Sequence, residues 1–358
     1  MKRKSFIQML VASTLLTPLM SSGCSNDRPQ ASNSEPDISE PELSASDTAP
    51  PSQSLILTTA TTGGTYYPVG VAIATLIGKQ TPLKMNAIDS AGSAENIQLL
   101  KNNEADLAIL QSLFSEMAWT GTGQYQGQPE QEFRSITMLW PNVEHFIVKR
   151  DAVETGNIED LKKYQSKGFS IGKRGSGTET SGKVILQELG FDVESDFRLE
   201  HMGYSESAEA MQNGRIEAMN IPAGPPASAV SQTYASMGAD EIAVLEFTPE
   251  QLKKINEVFP VWQPYTIKAG VYPNQSQPIQ TIAQPNLLAV RSNLDQETVY
   301  QITQAIYENL PQLKQSHQAT KEMSLDAAIS GLTTPLHEGA IQYYSEQGLT
   351  IPDRLSVS

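Results

Sequence analysis

Apolar residues along this chain fall in short runs, each followed by a polar loop and then by a stretch with helical spacing. Leu55-Ile56-Leu57 is such a run, and the spacing predicts a helix over 69–77 with Gly78 as its stop. Pro68 lacks an amide hydrogen and fits only the first turn of a helix, which places the 63–67 loop at that helix's N-terminus. Phe169-Ser170-Ile171 is a second short strand, followed by Arg174-Gly175-Ser176-Gly177-Thr178 and a helix through Leu189 with Gly190 after it. Gly63 to Gly175 and Gly78 to Gly190 are each 112 residues apart. Downstream, Ser93-Ala94-Glu95 opens a helix before a strand at 106–110, and Ser207-Ala208-Glu209 opens another, 114 residues later, before a strand at 217–221. The near-constant offset predicts two similar α/β lobes: 54–143 with 265–358, and 144–264. The chain crosses between them through 142–146 and returns through 265–291, where 286–290 reads as a strand. Val299, Ile302, Ile306 and Leu310 predict one buried helix face over 295–310. A short helix is expected at 325–329 and a last one at 336–347, with Tyr343 and Tyr344 in the core.

The first 53 residues follow neither pattern. Lys2, Arg3 and Lys4 precede a mostly apolar stretch at 6–20, too short to span a bilayer, and Ser21-Ser22-Gly23 then lead to Cys24. These are the parts of a secretion signal. Small residues before the chain's one cysteine are similar to a lipoprotein signal, which implies that residues 1–24 end on a lipidated Cys24. Such an anchor holds the protein in the periplasm or cell envelope. Residues 25–53 are rich in Ser and Pro and carry six acidic residues against Arg28, a composition that predicts a disordered tether.

Composition narrows the chemistry. With 40 acidic against 25 basic residues and a formal charge of −15, the 358-residue chain lacks the basic face of a nucleic-acid binder. A single cysteine excludes a disulfide framework, a zinc finger and an iron–sulfur cluster. Each lobe instead offers a Gly/Ser/Thr-rich loop running into a helix, where free amide hydrogens and the positive dipole end make an anion site. One such end contributes about 0.3–1 kcal/mol when exposed and about 2 kcal/mol when sheltered. Two that close on one ligand are enough for micromolar affinity. Lys173, Arg174 and Arg215 are candidates for local positive charge.

The stretches TTGGTYYPVG (61–70), SAGSAENIQLLKNNEADLAILQS (90–112) and GKRGSGTE (172–179), with the turn Gly270-Val271-Tyr272-Pro273-Asn274-Gln275, resemble the TAXI family of extracytoplasmic solute receptors. The resemblance covers about residues 54–345. It implies a two-lobed periplasmic-binding-protein fold of the type II kind, with a hinge and an interlobe cleft. It further implies capture of a small carboxylate (2-oxoglutarate, glutamate or a C4-dicarboxylate), handover to the membrane subunits of a TRAP permease, no cofactor and no chemistry. Carried over position by position, it implies ligand contacts from Gly64, Thr65 and Tyr66; from Ser93 and Asn96, with Ser93 alternatively an N-cap; and from Gln111 and Ser112. The second lobe would add Gly175, Ser176, Gly177 and Thr178, the 222–226 segment and Tyr272. Trp140 either lines the pocket or sits in the core. Relatives often carry Asp after the Gln-Ser pair where this chain has Leu113, a change that favours a ligand without an amino group.

Enzyme readings fit less well. Residues 177–183 have P-loop spacing, but Val184 stands where Ser or Thr would hold magnesium. His145, His201, His317 and His337 show no metal spacing, and there is no Gly-x-Ser-x-Gly elbow. The remaining alternatives are a surface lipoprotein that binds a protein partner or senses a ligand, and a secreted hydrolase.

Overall fold

The computed structural model describes residues 54–356; the leader, Cys24 and the tether lie outside the described residues. Two sheets organise the chain. The first comprises β1 (Leu55–Thr58), β2 (Met85–Ile88), β3 (Leu107–Gln111), β4 (Phe133–Val143), β10 (Gln263–Ile267) and β11 (Ile279–Arg291). The second comprises β5 (Phe146–Lys149), β6 (Gly168–Ser170), β7 (Arg198–Glu200), β8 (Ala218–Asn220) and β9 (Ile242–Val244). Around them pack α1 (Tyr66–Gln80), α2 (Ser93–Lys101), α3 (Ser112–Thr120), α4 (Gly177–Glu188), α5 (Val193–Asp196) and α6 (Tyr204–Gln212). The remaining helices are α7 (Ser228–Met237), α8 (Pro249–Ile255), α9 (Gln296–Glu308), α10 (Leu310–Leu313) and α11 (Glu338–Glu346).

The two sheets share one plan. In the first, β1 lies between β2 and β3, both parallel to it; in the second, β6 lies between β7 and β8, again both parallel. Each then adds antiparallel strands: β11 beside β3, with β4 and β10, and β5 beside β8, with β9. The repeat is tighter than the sequence offsets suggest. Tyr66 and Gly177, Ser93 and Tyr204, and Leu107 and Ala218, each the first residue of its element, are all 111 residues apart. Parallel strands buried on both faces read as continuous apolar runs, and every residue of β3 is buried.

Several element boundaries differ from the sequence reading. Helix α1 runs through Gly78 to Gln80, because Ile77 and its neighbours hold the helix against the sheet despite glycine's entropic cost. Helix α6 begins at Tyr204, not Ser207; the Ser207 hydroxyl lies inside it, donating to the Gly203 carbonyl at 2.8 Å. Residues 325–329 form turns rather than a helix, closed by bonds from Ala327 and Ala328 to carbonyls three residues back. Helix α9 buries Val299, Ile302 and Ile306 as expected, capped by Asp295 accepting from the Thr298 amide at 2.8 Å, but it ends at Glu308, and the expected fourth position, Leu310, opens α10 half-buried. Tyr343 and Tyr344 are buried and form an aromatic cluster with the buried Tyr307 and the half-buried Tyr300.

Two chain crossings join the sheets. Glu144 and His145 link β4 to β5, and the segment around Leu245 returns beside them: the Leu245 amide donates to Phe146 in the second sheet, and the Phe247 amide to Gln280 in the first. Far from these crossings, Asp106 ties β1 to β11. One carboxylate oxygen accepts from the Ile56 amide and the other from Arg291 Nε, both at 2.8 Å. Asp106→Ala is expected to lower unfolding stability by about 2 kcal/mol, read as a shifted urea midpoint at constant slope.

Candidate functional site

Four helix N-termini converge on one cavity. Its walls include Gly64, Thr65 and Tyr66 at the start of α1, Gly92 and Ser93 at the start of α2, Ser176, Gly177 and Thr178 at the start of α4, and Tyr204 at the start of α6. Gln111, Met202, Pro222 and Lys173 complete the principal lining, and about 450 Å³ of empty space lies within, open solvent at its mouth included. The first-turn amides of Tyr66, Tyr67, Gly177 and Thr178 donate to no acceptor among the described residues. They are the orphan donors that any helix start presents. Lys173 is the one charged side chain among the lining residues.

The two halves touch closely around this cavity. Thr65 Oγ1 donates to the Gly224 carbonyl at 2.7 Å, and the Ala229 amide donates to the Gly63 carbonyl at 3.0 Å. A β-carbon on Gly64 would stand 2.9 Å from the Tyr204 ring, and one on Gly177 would stand 2.9 Å from Gln111. Glycine is therefore required at both positions for close approach of facing lobes, not for an unusual backbone angle. Tyr204 accepts from Thr178 Oγ1 at 2.7 Å and donates to the Pro222 carbonyl at 2.8 Å. Burial foremost, then the neighbouring Tyr204, holds the Tyr66 phenol well above its usual range. It stays protonated, donating to Asn286 Oδ1 at 2.5 Å.

Of the residues proposed from sequence, Gly64, Thr65, Tyr66, Ser93, Gln111, Ser176, Gly177 and Thr178 line this cavity, as does Pro222 of the 222–226 segment; residues 223–226, Asn96, Ser112, Gly175, Trp140 and Tyr272 do not. Asn96 is saturated: Oδ1 accepts from Thr58 and Ser90, and Nδ2 donates to the carbonyls of Thr59 and Ile109. With both acceptor sites and both donors used, it braces β1, β3 and α2 and has no bond left for a ligand. Ser112 is buried against Gln284, with Oγ to Oε1 at 3.4 Å. Gly175 is exposed on the outer side of the loop, at a φ of 70°, its amide held by Glu179. Trp140 is fully buried behind Tyr66, edge to face at 5.9 Å. Tyr272 is buried against Tyr234 in the second half, its hydroxyl 2.8 Å from His145 Nε2. It pins the 270–275 turn to the crossing segment instead of reaching the cavity. Arg174 and Arg215 are exposed and outside the lining.

The sequence reading passed over Tyr204 because it placed the start of α6 three residues late. The signal was present: Glu206 accepts from the Gly203 amide at 2.9 Å, the carboxylate half of an N-terminal capping pattern. Ser176 supplies the other half of such a pattern at α4, its hydroxyl accepting from the Glu179 amide at 3.1 Å.

Two parallel-cored α/β halves, two crossing segments and a cavity ringed by helix N-termini define the fold of the two-lobed extracytoplasmic solute-binding proteins. MatC of Rhodopseudomonas palustris, solved with bound malate, is similar at 11% identity and a TM-score of 0.50, over 82% of this chain and 96% of that one. The alkanesulfonate-binding protein SsuA of Xanthomonas axonopodis pv. citri, bound to MOPS, is similar at 11% identity and a TM-score of 0.46, over 84% and 92%. Residues 57–348 match the model of the NMT1-like family, and the chain belongs to that family. Among the described residues no cluster of His, Cys, Asp and Glu is arranged to hold a metal ion, and no helix is long and apolar enough to cross a membrane.

Proposed function

We propose that this protein captures a small carboxylate between its lobes outside the cytoplasm and delivers it to a TRAP-type secondary transporter, held near the membrane by a lipid on Cys24. The observation that carries the reading is the meeting of four helix N-termini and Lys173 on one sheltered cavity with no acidic side chain in its lining. Each helix end contributes up to about 2 kcal/mol to a sheltered anion, and charge-assisted hydrogen bonds about 1.5–3 kcal/mol each. The dipole acts through the same amide hydrogens, so these are one contribution, of the order that a micromolar complex of roughly 8 kcal/mol requires. The malate held by the similarly folded MatC is in keeping with a carboxylate.

A thermal-shift screen of C4–C6 mono- and dicarboxylates, with amino and keto variants, tests the reading. A ligand at a hundred times its Kd is expected to stabilise the protein by about 2.7 kcal/mol, without turnover. Absence of a shift across the panel overturns the carboxylate. Lys173→Gln is expected to weaken the best ligand at least fivefold and to flatten the salt dependence of its affinity. Equal salt slopes for the two proteins would remove Lys173 from the anion site.

A further inference from the structure

Behind the Tyr66 ring, the first sheet carries polar side chains whose hydrogen bonds are unfilled. Trp140 and Asn142 are two residues apart on β4, and Gln284 and Asn286 are two apart on β11, at a bulge in the pairing of these strands. Asn142 stands opposite Gln284 in register, and Asn286 stands opposite Gln111. All five are buried to 3% exposure or less. Four donors, Trp140 Nε1, Asn142 Nδ2, Gln284 Nε2 and Asn286 Nδ2, find no acceptor among the described residues, and Asn142 Oδ1 and Gln111 Oε1 find no donor. Buried polar groups are almost always paired, so several orphans together call for a reason. This group stands behind the cavity wall and reaches the cavity through Gln111 alone. Gln111 and Tyr66 line it, Tyr66 donates to Asn286, and the Trp140 ring meets Tyr66 on one side and the Gly224 backbone on the other.

Resting on the carboxylate reading, we infer that this donor cluster is a second subsite, which holds the distal carboxylate of a dicarboxylate whose first carboxylate sits on the helix N-termini. The cluster is neutral, rich in N–H donors and poor in acceptors, the composition that suits an oxyanion taken out of water without a paired cation. Gly224 comes from the second lobe, next to Ala223, which pairs with Val143 at the crossing; its backbone packs against Trp140 and its carbonyl accepts from Thr65 of the first lobe. Burial strips these donors of water, and a ligand that reaches them restores their bonds. One that stops at the helix N-termini does not. The cluster therefore makes affinity depend on ligand length and on a second acceptor group.

The test is titration calorimetry of the full chain with two matched pairs: 2-oxoglutarate against 2-oxovalerate, and succinate against butyrate. The expected result is at least a tenfold preference for one dicarboxylate over its partner. Asn142→Leu, which removes two orphaned atoms at similar volume, is expected to cut that preference below threefold while the melting temperature of the ligand-free protein holds or rises. Trp140→Phe, which keeps the ring and loses only the N–H, is expected to cut it as well. Equal affinity within both pairs for the native protein overturns the subsite and leaves the carboxylate reading standing. No binding of any of the four overturns both. A lowered melting temperature in Asn142→Leu with the preference intact shows that the group serves the fold alone, and the subsite falls.

Discussion

Gly177→Val is expected to reduce affinity for the best ligand of the carboxylate screen by at least tenfold while the protein still folds. Gly177 is the first residue of α4, and its φ lies outside the left-handed region, so the backbone accepts a side chain there. The obstacle is the other lobe. A β-carbon would lie 2.9 Å from Gln111 Cδ and Oε1 and 3.0 Å from Ser93 Oγ. Ser93 is held in place, its hydroxyl accepting from the Gln111 backbone amide at 3.1 Å, so the buried Gln111 carboxamide, unpaired at Oε1, has to turn aside at the cavity wall. Overpacking of this kind costs about 1–3 kcal/mol, and a β-branched residue adds two further carbons to the clash. The cost falls on the closed form, since the lobes of an open form do not bring Gly177 against Gln111. Affinity drops by the same free energy, each 1.4 kcal/mol being about tenfold. Calorimetry gives the affinity, and small-angle scattering at saturating ligand is expected to show a radius of gyration larger than that of the native complex. Native affinity in the variant would mean that binding does not require these lobes to meet.

The same facing glycines explain what sequence could and could not reveal. The two loops were legible because glycine, proline and hydroxyl residues at a helix start are read from local rules, and the near-constant offset repeats the rule once per lobe. Local rules also exposed the α9 face and the tyrosines of α11. What pairs with what was not local. β4, β10 and the longer span of β11 gave little sequence signal, because their neighbours in the sheet lie as far away in the chain as Val290 from Leu107, 183 residues. Asn96 illustrates the limit at the site: an Asn at the mouth of a cleft suggests a ligand contact, and only the carbonyls of Thr59 and Ile109 reveal that it is already spent. Tyr272 shows the converse, a motif residue whose partner, His145, lies 127 positions away. Glu144 drew no attention in the sequence at all, since nothing local marks a carboxylate for burial.

Glu144→Gln is expected to make the protein progressively more stable than the native form as pH rises from about 4.5 to about 7. Glu144 is fully buried at the crossing between the sheets, where Oε2 accepts from Asn220 Nδ2 at 3.0 Å and Oε1 has no partner among the described residues. Burial pushes its carboxyl from 4.5 to about 7, against the opposing pull of hydrogen bonds, chiefly from Asn220. Below pH 4.5 both folded and unfolded chains hold the proton, and the residue costs nothing. Between 4.5 and 7 the unfolded chain has released it and the folded chain has not, so stability falls by about 1.4 kcal/mol per pH unit, about 3 kcal/mol in all. The adjacent His145 works in the other direction. Burial lowers its ring from 6.5 to about 4, despite bonds to the Val143 and Ile221 carbonyls through Nδ1, and its neutral Nε2 accepts from Tyr272. Between pH 4 and 6.5 the unfolded chain binds a proton that the folded one lacks, so stability rises with pH there. Over pH 4.5–6.5 the two slopes nearly cancel, and the pair contributes little net pH dependence to the native protein. Glutamine keeps the carbonyl that accepts from Asn220 and removes only the ionisation, which leaves the His145 slope unopposed. Urea unfolding of both proteins at pH 4.5, 5.5, 6.5 and 7.5 measures the difference; a gap that stays constant across the series would mean that Glu144 enters the fold already ionised.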